Sequence, residues 1–96
     1  MTFIGNLKGY RLIYSTQAKK AIDKVPKHIA QKIYAMLENL VNDQSNLDVK
    51  KLRTSREQRY RVRAGDYRII YTVWKELIIV YVIEIGHRKE IYRGQS

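Results

Sequence analysis

Three arginines in the segment YRVRAGDYRIIY, Tyr60 to Tyr71, are the residues of this chain best suited to chemistry. Arg61 and Arg63 alternate with Tyr60, Val62 and Ala64, and Gly65-Asp66 puts glycine first, as a two-residue type II′ turn requires. The segment predicts a β-hairpin that pairs Ala64 with Tyr67, Arg63 with Arg68, Val62 with Ile69 and Arg61 with Ile70. Side chains alternate across a sheet. Arg61, Arg63 and Arg68 therefore share one face, and Tyr60, Val62, Ala64, Tyr67, Ile69 and Tyr71 share the other. Two arginines directly opposite each other repel by a few tenths to about 1 kcal/mol. A cluster kept despite that repulsion fits a site for a polyanion, with a solvated basic face as the plainer alternative. Guanidinium groups bind phosphate bidentately and suit the charge of a pentavalent phosphate.

The segment HRKEIYR, His87 to Arg93, adds His87, Arg88 and Tyr92 to this basic and aromatic set. An extended 88–92 puts Arg88, Glu90 and Tyr92 on one face. Histidine is the side chain that titrates near neutrality, which makes His87 an acid–base candidate. Tyr92 has the chemistry to stack on a base or donate a proton. Lys50, Lys51, Arg53, Arg56 and Arg59 bring further positive charge. Each has a plainer role: a structural histidine after a strand, a packed Tyr92, a solvated loop for Arg53, Arg56 and Arg59. The tyrosines at 60, 67, 71 and 81 read as core and sheet residues.

Other chemistries find no support. Without cysteine, and with two histidines that have no partners at ligand spacing, no metal site is expected. Glycine-rich phosphate loops, serine-nucleophile elbows and paired carboxylates are missing as well. No cofactor is implied. The net charge of +10 attracts polyanions, whether nucleic acid, an anionic membrane or an acidic protein. That charge is spread over the sheet region rather than along one amphipathic helix, which argues against a membrane.

The elements that must carry these residues fit one domain over 1–96. The lack of cysteine suits a reducing cytoplasm. MTFIGNLKG holds no apolar run of signal-peptide length, and the longest apolar stretch, LIIVYVI at Leu77 to Ile83, is too short to span a bilayer as a helix. Tyr10 to Tyr14 predicts a strand, and Ser15 or Thr16 caps the helix carrying Ala18, Ala21, Ile22 and Val25 on its apolar face. Pro26 separates it from a second helix running to about Asn42, with a stripe of Ile29, Ile33, Met36, Leu37, Leu40 and Val41. A short strand or edge follows at Lys50 to Arg53, then hairpin strands at 59–64 and 67–74, a turn near Lys75-Glu76 and an apolar strand over 77–85 that Gly86 breaks. His87 to Arg93 is a candidate for a last short strand. The fold class is α+β: an N-terminal helical hairpin on one face of a four- to five-stranded antiparallel sheet, with the arginine face on the uncovered side. From the residues alone, this is a small basic α+β domain that binds nucleic acid or an acidic partner.

Lys51-Leu52-Arg53, YRVRAGDYRIIY, LIIVYVI and GHRKEIYR occur in an order and spacing that resembles the RelE/ParE superfamily of toxin–antitoxin modules, and within it the RelE-like toxins. The resemblance runs from Tyr10 to Arg93 and implies the same fold. It further implies a ribosome-dependent endoribonuclease, metal-independent, that cuts mRNA in the ribosomal A site. The ribose 2′-OH attacks the adjacent phosphodiester, leaving a 2′,3′-cyclic phosphate and a 5′-OH and inhibiting translation. The family's site positions fall on Arg61, Arg63, Arg68, His87, Arg88 and Tyr92. Some members carry lysine where Arg61 and Arg63 stand, and an arginine is a poor general base. Proton transfer is thus expected of His87 assisted by Tyr92, and phosphate stabilisation of the arginines. Lys50, Lys51, Arg53, Arg56 and Arg59 become candidate RNA and ribosome contacts. The implied partners are a cognate antitoxin, acidic and folding on binding, the ribosome and mRNA, with operator DNA reached only through the antitoxin. A ParE-like inhibitor of DNA gyrase, not a nuclease, is the alternative on the same fold. A non-catalytic basic binding module is a third reading.

Overall fold

The computed structural model describes residues 7–42, 47–52 and 58–87. Five strands form one sheet in the order β1-β5-β4-β3-β2: β1 Arg11–Tyr14, β2 Val49–Leu52, β3 Arg59–Ala64, β4 Tyr67–Trp74 and β5 Ile79–His87. Helices α1 (Thr16–Asp23) and α2 (Lys27–Leu40) cover one face.

The hairpin has the predicted register, residue for residue, with Arg63 opposite Arg68. Gly65 takes φ +60°, and the following Asp66 does not take a positive φ, which is the backbone of a type II′ turn. Ser15 caps α1, its Oγ accepting from the Ala18 N–H. Pro26 precedes α2, which closes at Leu40, two residues before the expected end at about Asn42. Val41 still packs into the core, so the stripe outlasts the helix. Ala18, Ile22, Ile33, Leu37 and Leu40 meet Val62, Ile69, Tyr71, Val80, Val82 and Ile85 across the helix–sheet interface.

Three features depart from the sequence expectation. First, β1 pairs in parallel with β5, so the sheet is mixed, although its other three pairings are antiparallel. The helical hairpin carries the chain away from β1, so no short turn ties it to a neighbour, and it joins the free edge of β5 instead. Second, Gly86 does not break β5, which runs on to His87. Third, the β4–β5 ladder carries a bulge. Ile70 pairs with Glu84 but the next residue, Tyr71, pairs with Val82, so Ile83 is extra. The Ile83 carbonyl accepts from Ser15 Oγ at 2.6 Å, and the Val82 carbonyl accepts from the Ser15 N–H at 2.9 Å. The capping serine of α1 thus also holds the bulge. A last strand over His87 to Arg93 lies outside the described residues beyond His87 itself.

Candidate phosphate-binding face

The face of the sheet turned away from the helices carries the arginines. Across four strands, Lys50, Arg61, Ile70 and Glu84 stand in one row, each the registered partner of the next. Arg63, Arg68 and Gly86 make the adjacent row. Arg59 shares this face, opposite Thr72 and Leu52. Lys51 pairs with Tyr60, so alternation puts it on the helix side. Arg53 and Arg56 lie outside the described residues, as do Arg88 and Tyr92.

A freely solvated basic face does not describe this arrangement. Arg61 is only 7% exposed and Arg68 only 8%, and Ile70, the partner of Arg61 on the strand of Arg68, is buried beside them. Buried charge requires partners. Asp48, just before β2, supplies one: its carboxylate lies 3.1 Å from Arg63 Nε and 3.6 Å from Arg61 Nη2. Sequence reasoning passed over Asp48 because it sits in a polar run, DQSNLD, that reads as plain loop. One carboxylate bridging two guanidinium groups is also how a phosphodiester would sit on them.

His87 is the candidate that the fold separates from the arginines. It pairs with Tyr67, and their rings meet edge to face with centroids 5.5 Å apart. It lines a cleft under α1 together with Gln17, Lys20, Lys24 and Tyr67. The sheet stands between that cleft and Arg61, Arg63 and Arg68. The bulge is the cause, because one extra residue at Ile83 reverses the face of every later side chain in β5. The same reversal brings Glu84 to the arginine face. At the far end of that face Trp74 stacks on Tyr81, with centroids 4.6 Å apart and planes at 14°. Tyr81 is therefore a residue of the open face, whereas Tyr60 and Tyr71 stack within the core side.

Among the described residues, no group of three or more His, Cys, Asp or Glu side chains could hold a metal ion. Among the same residues, no helix is long and apolar enough to cross a membrane.

Comparison with known proteins gives this geometry a context. Residues 7–92 match the model of a family described as the ParE toxin of type II toxin–antitoxin system, parDE. The chain is 33% identical over 86 residues to toxin RelE3 of Methanocaldococcus jannaschii, covering 85% of this chain and 94% of that toxin. Its fold superposes on the archaeal RelE–RelB complex of Pyrococcus horikoshii OT3 with a TM-score of 0.70 and 28% identity, over 82% of this chain and 94% of the other. The isolated E. coli RelE toxin shares the fold, with a TM-score of 0.69 at 24% identity over 91% and 95% of the two chains.

Proposed function

The chain belongs to the ParE toxin family of type II toxin–antitoxin systems, in its RelE-like branch, and on that premise we propose that it is a ribosome-dependent endoribonuclease that cuts mRNA in the A site. The observation that carries this reading is the arginine face. Arg61, Arg63 and Arg68 share one side of the sheet, two of them nearly dry, and Arg61 and Arg63 already hold a carboxylate as they would hold a phosphate. Fixed cationic donors in a poorly solvated site stabilise charge developing on phosphorus far better than the same groups in water. Arg63, the most exposed of the three, would meet the phosphodiester first. Arg61 and Arg68 would hold the equatorial oxygens as the 2′-oxygen adds. Arg88 and Tyr92 would complete the set from the C-terminal segment. Lys50 and Arg59, on the same face, would contact the RNA backbone, with Lys51, Arg53 and Arg56 touching the ribosome. No metal or cofactor enters this chemistry.

The RelE–RelB complex of Pyrococcus horikoshii supports an antitoxin as the partner of this chain as well. An acidic antitoxin segment that folds on binding would compete with RNA for the arginines.

The test is a cell-free translation reaction with a defined mRNA and purified protein, with and without ribosomes, mapping 5′ ends by primer extension. New ends inside translated codons, only with ribosomes present, are expected. Arg68→Ala should lose them while keeping its fold. A second reading, inhibition of DNA gyrase, is favoured by the ParE description of the matching family. It predicts intact mRNA in this reaction, with DNA breaks and filamentation in cells.

A further inference from the structure

We infer that Glu84 is the proton acceptor of the arginine site, a role that rests on the nuclease reading above. The inference comes from which side chains the bulge at Ile83 exchanges. With His87 on the helix side of the sheet, the described part of the arginine face holds just two carboxylates near the cations, Asp48 and Glu84. Asp48 sits on Arg61 and Arg63 themselves, in the place a bound phosphate would take, and not beside it. The carboxylate of Glu84 stands outside those ion pairs.

Its position suits the chemistry. Glu84 lies two strands from Arg61 in the same row, with the buried Ile70 as an apolar floor between them. Strand spacing makes that separation about 10 Å at the backbone. Arg68 registers with Gly86, two residues from Glu84, which makes Arg68 and Glu84 diagonal neighbours at about 7–8 Å. Side chains of this length can reach one phosphodiester from opposite sides. The residue directly across from Arg68 on β5 is Gly86, which brings no side chain of its own. Glu84 is itself half-buried, so its carboxylate meets both solvent and the site.

The step balances simply. Glu84 takes the proton of the ribose 2′-OH as the O2′–P bond forms. The P–O5′ bond breaks, and the departing 5′ oxygen takes a proton from solvent water. Glu84 later returns its proton to solvent. The arginines carry the phosphoryl charge throughout.

Single-turnover cleavage of mRNA on programmed ribosomes tests this with wild-type protein, Glu84→Gln and Glu84→Ala. General-base catalysis contributes about 10²–10⁴-fold, so E84Q should cut slower by that factor while binding a short RNA as tightly as wild type. Added formate, a carboxylate small enough for the truncated site, should restore cleavage by E84A in proportion to its concentration and leave wild type unchanged. A merely structural Glu84 would show no formate dependence. If wild type cuts and E84Q cuts equally fast, or E84A does not respond to formate, the assignment of Glu84 falls and the nuclease reading stands. If wild-type protein leaves mRNA intact on ribosomes, both fall together.

Discussion

Neutralising Asp48 should make this protein bind RNA more tightly while folding less stably. The Asp48 carboxylate occupies the two guanidinium groups that the nuclease reading gives to phosphate, at 3.1 Å from Arg63 and 3.6 Å from Arg61. Two unit charges at 3.1 Å attract by about 1.3 kcal/mol at the dielectric of bulk water. Side-chain ordering and salt reduce such exposed pairs to about 0.2–1 kcal/mol. Asp48 and Arg63 are 58% and 45% exposed, which puts that pair at about 0.5 kcal/mol; Arg61 is buried, but its contact is too long for a hydrogen bond and ends on the exposed Asp48, so about 0.5 kcal/mol is taken for it as well. Removing both rivals of a bound phosphate then gives about 1 kcal/mol, or roughly fivefold tighter binding. Asp48→Asn keeps the shape of the side chain and tests this. Fluorescence anisotropy with a short single-stranded RNA should show that gain at low salt and little of it near 1 M, where the Debye length falls to about 3 Å. The same variant should lose no more than about 1 kcal/mol in urea unfolding, or about 4–8 °C in Tm. Equal or weaker RNA binding by D48N at low salt would mean that Asp48 and phosphate do not compete for the same arginines.

Four further outcomes follow from particular contacts. The Tyr71 hydroxyl is buried with no hydrogen-bond partner among the described residues. Since such a group costs about 1–3 kcal/mol, Tyr71→Phe should match or exceed wild-type stability in urea, and a clear loss would count against it. Ile78 holds φ +56° at an exposed turn, a left-handed conformation that costs a β-branched residue about 1–2 kcal/mol. Ile78→Gly should therefore raise Tm, by a margin trimmed by glycine's own entropy. Ser15→Ala removes both a helix cap and the bond to the bulge carbonyl, for about 1.5–2.5 kcal/mol by denaturant titration. Ser15→Thr should keep most of that. Burial first, then the neighbouring Tyr34 and Glu38, push Tyr14 up from 10.0 to about 12. An acid whose folded pKa is raised loses stability only on the alkaline side, because the unfolded chain ionises first. Urea midpoints should hold up to about pH 10 and fall between 10 and 12, less steeply in Tyr14→Phe.

The hairpin was legible in the sequence because every local rule agreed on it. Gly65-Asp66 fixed the turn, alternation fixed the faces, and the tertiary structure had only to accept them. The helical hairpin was legible for the same reason, from its stripe and its Pro26 break. The partner of β1 was not. A four-residue strand with no turn to either neighbour carries no pairing signal, and its parallel seat beside β5 depends on where the helices return the chain. Burial of Arg61 and Arg68 was equally out of reach, since an arginine's sequence context does not say whether its stem lies along a sheet or in water.

The bulge is the instructive case, because a physical reason for it lies in the sequence after all. LIIVYVI offers no polar alternation to mark its phase, so uniform pleating is the default expectation. Continuing that phase from Val80 and Val82 would send Glu84 and Gly86 toward the helices and turn Ile83, Ile85 and His87 outward. A carboxylate would then turn toward the apolar helix–sheet core, at a cost of several kcal/mol if it entered unpaired. One extra residue at Ile83 exchanges that arrangement for Ile85 in the core and Glu84 on the cationic face. The ladder gives up one regular pairing, and Ser15 restores a partner to the Ile83 carbonyl. The pleat shift that protects the core therefore also sets the composition of the arginine face, placing a carboxylate there and moving the histidine away.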